Sequence, residues 1–259
     1  MRSGFLCALA LSLVSTTTLN AAEPLRLRVL SYNIHHGRGT DDKVDLERIA
    51  KVINAVEPDL VALQEVDKGV ERTKGIDEPG ELARLTKMNV VFGNNIIYQG
   101  GDYGNAILSK LPVAAHKNHK LPVFYKNEQR GVMEVDLTLP DNRGTLLFMA
   151  THLDYRGDSP ERVPSAALIN ELVAKRTEPA ILMGDLNDTP DSKTLAEFEK
   201  SWKRTNEGTL ATFPVDAPTR QIDHILVRPA DRWKIIETKV LDEAVASDHR
   251  AILAVLELN

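Results

Sequence analysis

The sequence predicts an α/β chain of the α+β kind: two packed, largely antiparallel β-sheets with helices on their outer faces. Three observations lead there. Short β-rich runs outnumber helical patterns across the 259 residues, and Pro, Asn and Gly turns separate them. Most neighbouring strands have no helix between them, as a doubly wound parallel sheet would require. Composition agrees, because 42% hydrophobic and 27% charged residues describe an ordinary globular chain and exclude disordered, collagen-like and coiled-coil classes.

The elements follow in order. Arg2, an apolar run over residues 5–14, polar residues 15–20 and the small Ala21 and Ala22 form the pattern of a secretory signal peptide cleaved near Ala21 or Ala22. The apolar run is too short to cross a membrane, which takes about 20 residues, so residues 1–22 are expected to leave the chain rather than anchor it. Cys7, the only cysteine, lies inside this segment. The mature chain, 23–259, therefore carries no thiol and no disulfide, which excludes cysteine chemistry. Secretion or a periplasmic location is the expectation. The net charge of -5 becomes one unit more negative on losing Arg2, and such a field disfavours a polyanion partner without excluding one.

No repeat, low-complexity tract or linker divides residues 23–259, so one domain is expected. Leu25, Leu27 and Val29 alternate with Arg26 and Arg28, and Leu30, Tyr32 and Ile34 continue on the opposite face. That pattern is a strand buried on both sides near its end, with Asn33 at its C-terminal tip. Asp45 can cap a helix whose Leu46, Ile49, Ala50 and Ile53 share one face, and Pro58 ends it. A strand follows over 60–65. Further strands are expected at 105–108, 132–139, 145–152, 180–185, 222–227, 233–240 and 251–258, with one more helix carrying Ala166, Ile169 and Val173.

Five polar clusters fall at ends of these strands: Ser31-Tyr32-Asn33, Gln64-Glu65, Thr151-His152, Gly184-Asp185-Leu186-Asn187 and Ser247-Asp248-His249. Strand ends project polar side chains from a rigid scaffold. Asn33, Glu65, Asp185, Asn187 and Asp248 offer only oxygen, which suits Mg²⁺, Mn²⁺ or Ca²⁺ better than zinc. His35, His36, His152, His224 and His249 lie in or beside the clusters and suggest acid–base chemistry, whereas His116 and His119 sit in a polar, solvated-looking stretch.

Seven motifs occur in order: SYNIHHG (31–37), LQEVD (63–67), YGNAILSK (103–110), THLD (151–154), GDLND (184–188), IDHILV (222–227) and SDHRAI (247–252). In these the chain resembles the endonuclease/exonuclease/phosphatase superfamily, over nearly all of residues 25–258. The resemblance implies a four-layer sandwich of two mostly antiparallel β-sheets flanked by helices, with the site at the top between the sheets. It implies that Glu65 is the principal metal carboxylate, with Asn33 and Asp248 near the same or a second cation. Asp185 and Asn187 would position the attacking water and the phosphate. His249 would bond the scissile phosphate, oriented by Asp223, and His152 would be a second phosphate-contacting histidine, as in the DNase branch. Mg²⁺ or Mn²⁺ is the implied cofactor, with Ca²⁺ also compatible.

Arg72, Tyr103 and Arg130 are expected in loops around the same strand ends, where an arginine is the natural bidentate partner of phosphate oxygens. A phosphate ester is the expected substrate. A nuclease would bring a basic groove, yet the 117–126 region with Lys203 and Arg204 supplies little. A lipid esterase would bring exposed aromatics, and Trp202 and Trp233 stand in ordinary charged sequence. A monomeric phosphodiesterase or phosphomonoesterase on a small exported substrate is the first reading. A secreted endonuclease or exonuclease on DNA or RNA is the alternative, and an inactive binding module the second, although every chemical position of the motifs is filled.

Overall fold

Alternation along single strands decides the layering. The computed structural model describes Met1 and residues 23–259; the signal-peptide reading and Cys7 lie outside the described residues. Leu27 and Val29 of β1 (Leu25–Asn33) enter one hydrophobic cluster, while Leu30 and Tyr32 enter another. A strand that is apolar on both faces must be covered on both faces. The elements that do so are α1 (Leu46–Ala55), β2 (Leu60–Lys68), α2 (Glu78–Thr86), β3 (Asn89–Tyr98), β4 (Gly101–Ser109), β5 (Val113–Lys120), β6 (Gly131–Thr138) and β7 (Thr145–His152). After them come α3 (Arg162–Val173), β8 (Ala180–Asp185), α4 (Lys193–Phe198), β9 (Lys203–Arg204), β10 (Asp223–Arg228), β11 (Trp233–Val240) and β12 (Ile252–Leu258).

The strands form two six-stranded sheets, ordered β11-β12-β1-β2-β4-β3 and β5-β6-β7-β8-β10-β9. Their facing surfaces share one core, in which Val29, Ala62, Phe148 and Met183 are fully buried. Ile49 and Ile53 of α1 and Leu82 of α2 cover the outer face of the first sheet, and Ile169 of α3 with Phe198 of α4 covers the second. The result is helix, sheet, sheet, helix. Truncating a side chain at the central seam, as in Phe148→Ala, removes contacts on that seam and costs about 3–5 kcal/mol.

Pairing is antiparallel except for β1 with β2 and β7 with β8. Each parallel pair encloses a helix, α1 in the first and α3 in the second, as a parallel crossover needs. Parallel strands bring their C-terminal ends to one edge. Asn33, His152 and Asp185 close three of those strands, and Gln64 is the last β2 residue paired with β1, so the topology alone gathers residues from distant parts of the chain.

Several elements lie where the sequence shows little periodicity. The stretch 113–120 is a strand at the edge of the second sheet, and its polar residues suit an edge that meets water. His116 is exposed there, but His119 bonds Glu134 at 2.7 Å and is partly buried. Tyr103 lies inside β4 and not in a loop. No described helix is long and apolar enough to cross a membrane.

Candidate active site

A bulge aims Glu65 out of the ladder. The β2–β4 register slips between Leu63 and Val66, and Glu65 takes a left-handed φ of 58°. Asn33 then ties the sheets together: its Nδ2 donates to Glu65 Oε1 at 3.0 Å and to Asp185 Oδ2 at 3.1 Å. Ser247 Oγ donates to the Asn33 carbonyl at 2.7 Å and accepts from the His249 amide at 3.3 Å, which fixes the segment ahead of β12 beside β1. At Gly184 a Cβ would meet the Thr151 carbonyl oxygen at 1.9 Å, so only glycine lets β8 approach β7 and place Asp185 between the sheets.

Asp185 sits between two histidines, its Oδ2 at 3.5 Å from His152 Nε2 and 3.7 Å from His249 Nε2. Burial and the Asp223 charge push its carboxyl up to about 7. His249 Nδ1 lies 2.9 Å from Asp223 Oδ2. Burial alone would lower the His249 pKa, but Asp223 and Asp185 outweigh it and raise it to about 10. That ring is an imidazolium with its Nε2–H toward Asp185.

His152 is the opposite case. Burial, Arg130 and His249 hold its pKa well below the usual value, so the ring is neutral. Arg130 Nη1 lies 3.1 Å from His152 Nδ1, and a guanidinium can only donate, so the ring proton is on Nε2. Asn187 Nδ2 stands 3.0 Å from that Nε2 while donating to the Leu153 carbonyl at 3.1 Å. Two N–H groups thus converge, an arrangement completed by an anionic oxygen that accepts from both.

These groups open on a cleft of about 440 Å³ lined by Glu65, His152, Asp185, Asn187, Asp248 and His249. Tyr155, Arg162, Phe213 and Arg220 line it too, and sequence reasoning missed all four. Phe213 packs on the His249 ring with centroids 4.8 Å apart, and the Arg220 guanidinium lies 5.2 Å from the Phe213 ring. Arg162 donates to the Asp154 and Gly157 carbonyls at 2.9 and 2.7 Å, and so shapes the wall after β7. The available signal was proximity, since Arg220 precedes Asp223 by three residues. A larger hollow of about 770 Å³ near Val44 and Ile76 contains no histidine and no buried carboxylate.

Asn33, Glu65, His152, Asp185, Asn187, Asp223, Asp248 and His249 all meet at this edge. Arg130 stands behind His152, 5% exposed and paired with Glu128 at 2.9 Å. Arg72 does not line the cleft: Asp67 holds its guanidinium through two bonds of 2.8 Å, and it lies 4.8 and 5.2 Å from the Tyr98 and Tyr103 ring centres. Tyr103 is nearly buried, and burial with the Glu65 and Glu128 charges raises its phenol well above the usual value. Tyr103 pairs in register with Asp67, two residues beyond Glu65 on β2, and Arg72 packs on that pair. The carboxylate oxygens of Glu65 and Asp248, beside a carboxylate as crowded as Asp185, suit a hard divalent cation, whereas Asn33 turns its Nδ2 toward Glu65 and Asp185 and its Oδ1 to the His35 amide.

A model of the Endonuclease/Exonuclease/phosphatase family matches residues 30–249. The protein YbhP of Escherichia coli strain K12 is 27% identical over 246 residues, covering 89% of this chain and 96% of its own length. The crystal structure of an endonuclease/exonuclease/phosphatase from Beutenbergia cavernae, 25% identical, superposes with a TM-score of 0.76 over 90% of this chain and 72% of that one. A mannosyl-6-phosphatase from Bacteroides thetaiotaomicron, 20% identical, gives 0.72 over 89% and 99%. The family match begins just before Asn33 and ends on His249, so it spans the whole carboxylate and histidine set, and the chain belongs to the endonuclease/exonuclease/phosphatase family of divalent-metal-dependent phosphate-ester hydrolases.

Proposed function

We propose that this chain is an exported, monomeric hydrolase of a small phosphodiester or phosphomonoester that works with Mg²⁺ or Mn²⁺. The observation that carries the reading is the place of Asp185, a carboxylate with a pKa raised to about 7 between an imidazolium and a neutral imidazole. Glu65, with Asn33 and Asp248, would hold the cation, which when bound offsets charge on the phosphoryl oxygens. Asp185 orients the attacking water and can take its proton. His249, kept protonated by Asp223, donates from Nε2 to the phosphoryl group. His152 Nε2–H and Asn187 Nδ2 converge on one further oxygen, and neutral His152 serves as a donor and not as an acid.

A cleft of about 440 Å³ is in the range of small-molecule sites, about 300–1,000 Å³. The mannosyl-6-phosphatase neighbour offers a phosphomonoester precedent on the same fold. The test is a hydrolysis panel with Mg²⁺ or Mn²⁺ against plasmid DNA, RNA, bis-p-nitrophenyl phosphate, p-nitrophenyl phosphate, sugar phosphates, inositol phosphates and sphingomyelin. Small esters should be cleaved fastest, and EDTA or Glu65→Gln should abolish turnover with the fold intact. Preference for nucleic acid would overturn the substrate ranking, and inertness toward every ester would leave a binding module. Export is read separately by mass spectrometry of periplasmic or medium protein, which should begin at Ala22 or Glu23.

A further inference from the structure

We propose that His35, His36 and Glu65 form a second, nitrogen-bearing cation site that takes a borderline divalent ion of the first transition row, such as Zn²⁺ or Co²⁺. It lies beside the oxygen-lined position of Asn33 and Asp248 and rests on the reading of Glu65 as a cation ligand.

One ligand atom from each of His35, His36 and Glu65 lies within 4.8 Å of the other two. Donors around a tetrahedral ion with bonds of about 2.1 Å stand about 3.4 Å apart, so modest side-chain rotations close the set. The turn after β1 holds both rings at this edge. His35 and His36 have φ of 46° and 45°, the His35 amide donates to Asn33 Oδ1 at 3.1 Å, and the two ring centres are 4.5 Å apart. His35 Nδ1 also lies 3.7 Å from Asp248 Oδ1, which supplies a further oxygen at the rim.

The hydrogen bonding of His36 separates it from the structural histidines. His224 pairs Nε2 with the Asp188 carbonyl at 2.9 Å, and His119 pairs with Glu134. His36 is 7% exposed, yet its buried Nδ1 finds no hydrogen-bond partner among the described residues. A buried polar atom left unpaired costs about 1–3 kcal/mol, so a ring kept that way beside a carboxylate and a second imidazole points to a ligand the fold does not itself supply. Two imidazoles and a carboxylate suit Zn²⁺ or Co²⁺ and are poor partners for Mg²⁺, whose donors are oxygens. The shared Glu65 carboxylate would then serve two ions of different hardness, each selected by its other ligands.

The experiment titrates EDTA-stripped mature protein with Co²⁺ in excess Mg²⁺, following the visible d–d absorption and the paramagnetically shifted imidazole N–H signals. Equilibrium dialysis with Zn²⁺ gives the stoichiometry. One Zn²⁺ or Co²⁺ per chain, not displaced by Mg²⁺ and showing shifted signals from two histidines, is expected. His35→Ala and His36→Phe should each weaken Zn²⁺ binding by more than about tenfold, the lower bound seen for losing a group that merely orients a ligand. Circular dichroism reports folding; should His36→Phe not fold, His35→Ala and the histidine signals decide alone. No Co²⁺ uptake in excess Mg²⁺, or unchanged Zn²⁺ affinity in the folded variants, overturns the second site. Hydrolysis with Mg²⁺ and no Co²⁺ band would sink this site and spare the proposed function, while a Co²⁺ band with no hydrolysis of any ester would do the reverse.

Discussion

His249 and His152 face the same Asp185 oxygen from similar distances, and both are almost wholly buried. They differ in what stands behind them. Asp223 holds the Nδ1 of His249, whereas Arg130 donates to the Nδ1 of His152. His224, buried as deeply but bonded only to neutral groups, sits at about 4 through burial. Against that baseline the Asp223 and Asp185 carboxylates lift the His249 imidazole to about 10, and in His152 an arginine adds to burial in keeping the ring neutral. Burial thus sets a common starting point, and the charged neighbours decide which histidine carries charge: Asp223 with Asp185 at His249, Arg130 with His249 at His152.

Removing the carboxylate both rings face should have the largest effect. Asp185→Asn is expected to lower turnover by about 10²–10⁴, the usual contribution of a positioned base, with little change in cation affinity. Next comes the charged pair. His249→Ala should lose about 10²–10³ in turnover, and adding Asp223→Ala should make it little worse, because Asp223 acts through the ring. Multiplicative losses in a double-mutant cycle would mean the two act independently.

The neutral ring should respond more gently. Arg130→Met is expected to cost about tenfold in turnover, the equivalent of one misplaced hydrogen bond, and to let His152 titrate nearer its usual range by ¹⁵N imidazole shifts. An unchanged His152 signal would refute the tautomer assigned to it. The smallest effect on turnover belongs to His224→Gln, whose consequence is for stability. Below pH 6.5 the unfolded chain gains a proton on His224 that the native chain refuses until about pH 4. The His224 contribution to native stability is therefore complete above 6.5 and is lost, by up to about 3 kcal/mol, across that window. Denaturant melts of the Gln variant should show a flatter acid limb.

The sequence shows the double-faced strands and their ends well, since β1, β7 and β8 combine apolar alternation with a polar tip. It shows much of the candidate site for the same reason: Asn33, His152 and Asp185 end β1, β7 and β8. Elements at the margins were harder to see. In β5, seven of whose eight residues are not hydrophobic anchors of the core, exposure removes the periodic signal, and α2 begins amid turn residues with Pro79 in its first turn. Roles that depend on a neighbour distant in sequence stayed hidden too. Nothing near Arg72 announces that Asp67 occupies it, and nothing near Arg130 reveals the tautomer it imposes on His152.

The bulge that carries Glu65 has a consequence for how this position can change over time. A left-handed backbone at a non-glycine residue costs of order 1 kcal/mol or more, and Asn or Gly would adopt the same φ of 58° more comfortably. Glu65→Asn is accordingly expected to melt no lower than the parent while binding its cation poorly. Selection for thermal robustness alone would let position 65 drift toward Asn or Gly. On the proposed role of Glu65, backbone comfort and cation binding therefore pull this position in opposite directions: the φ favours Asn or Gly, and the ion favours the longer carboxylate.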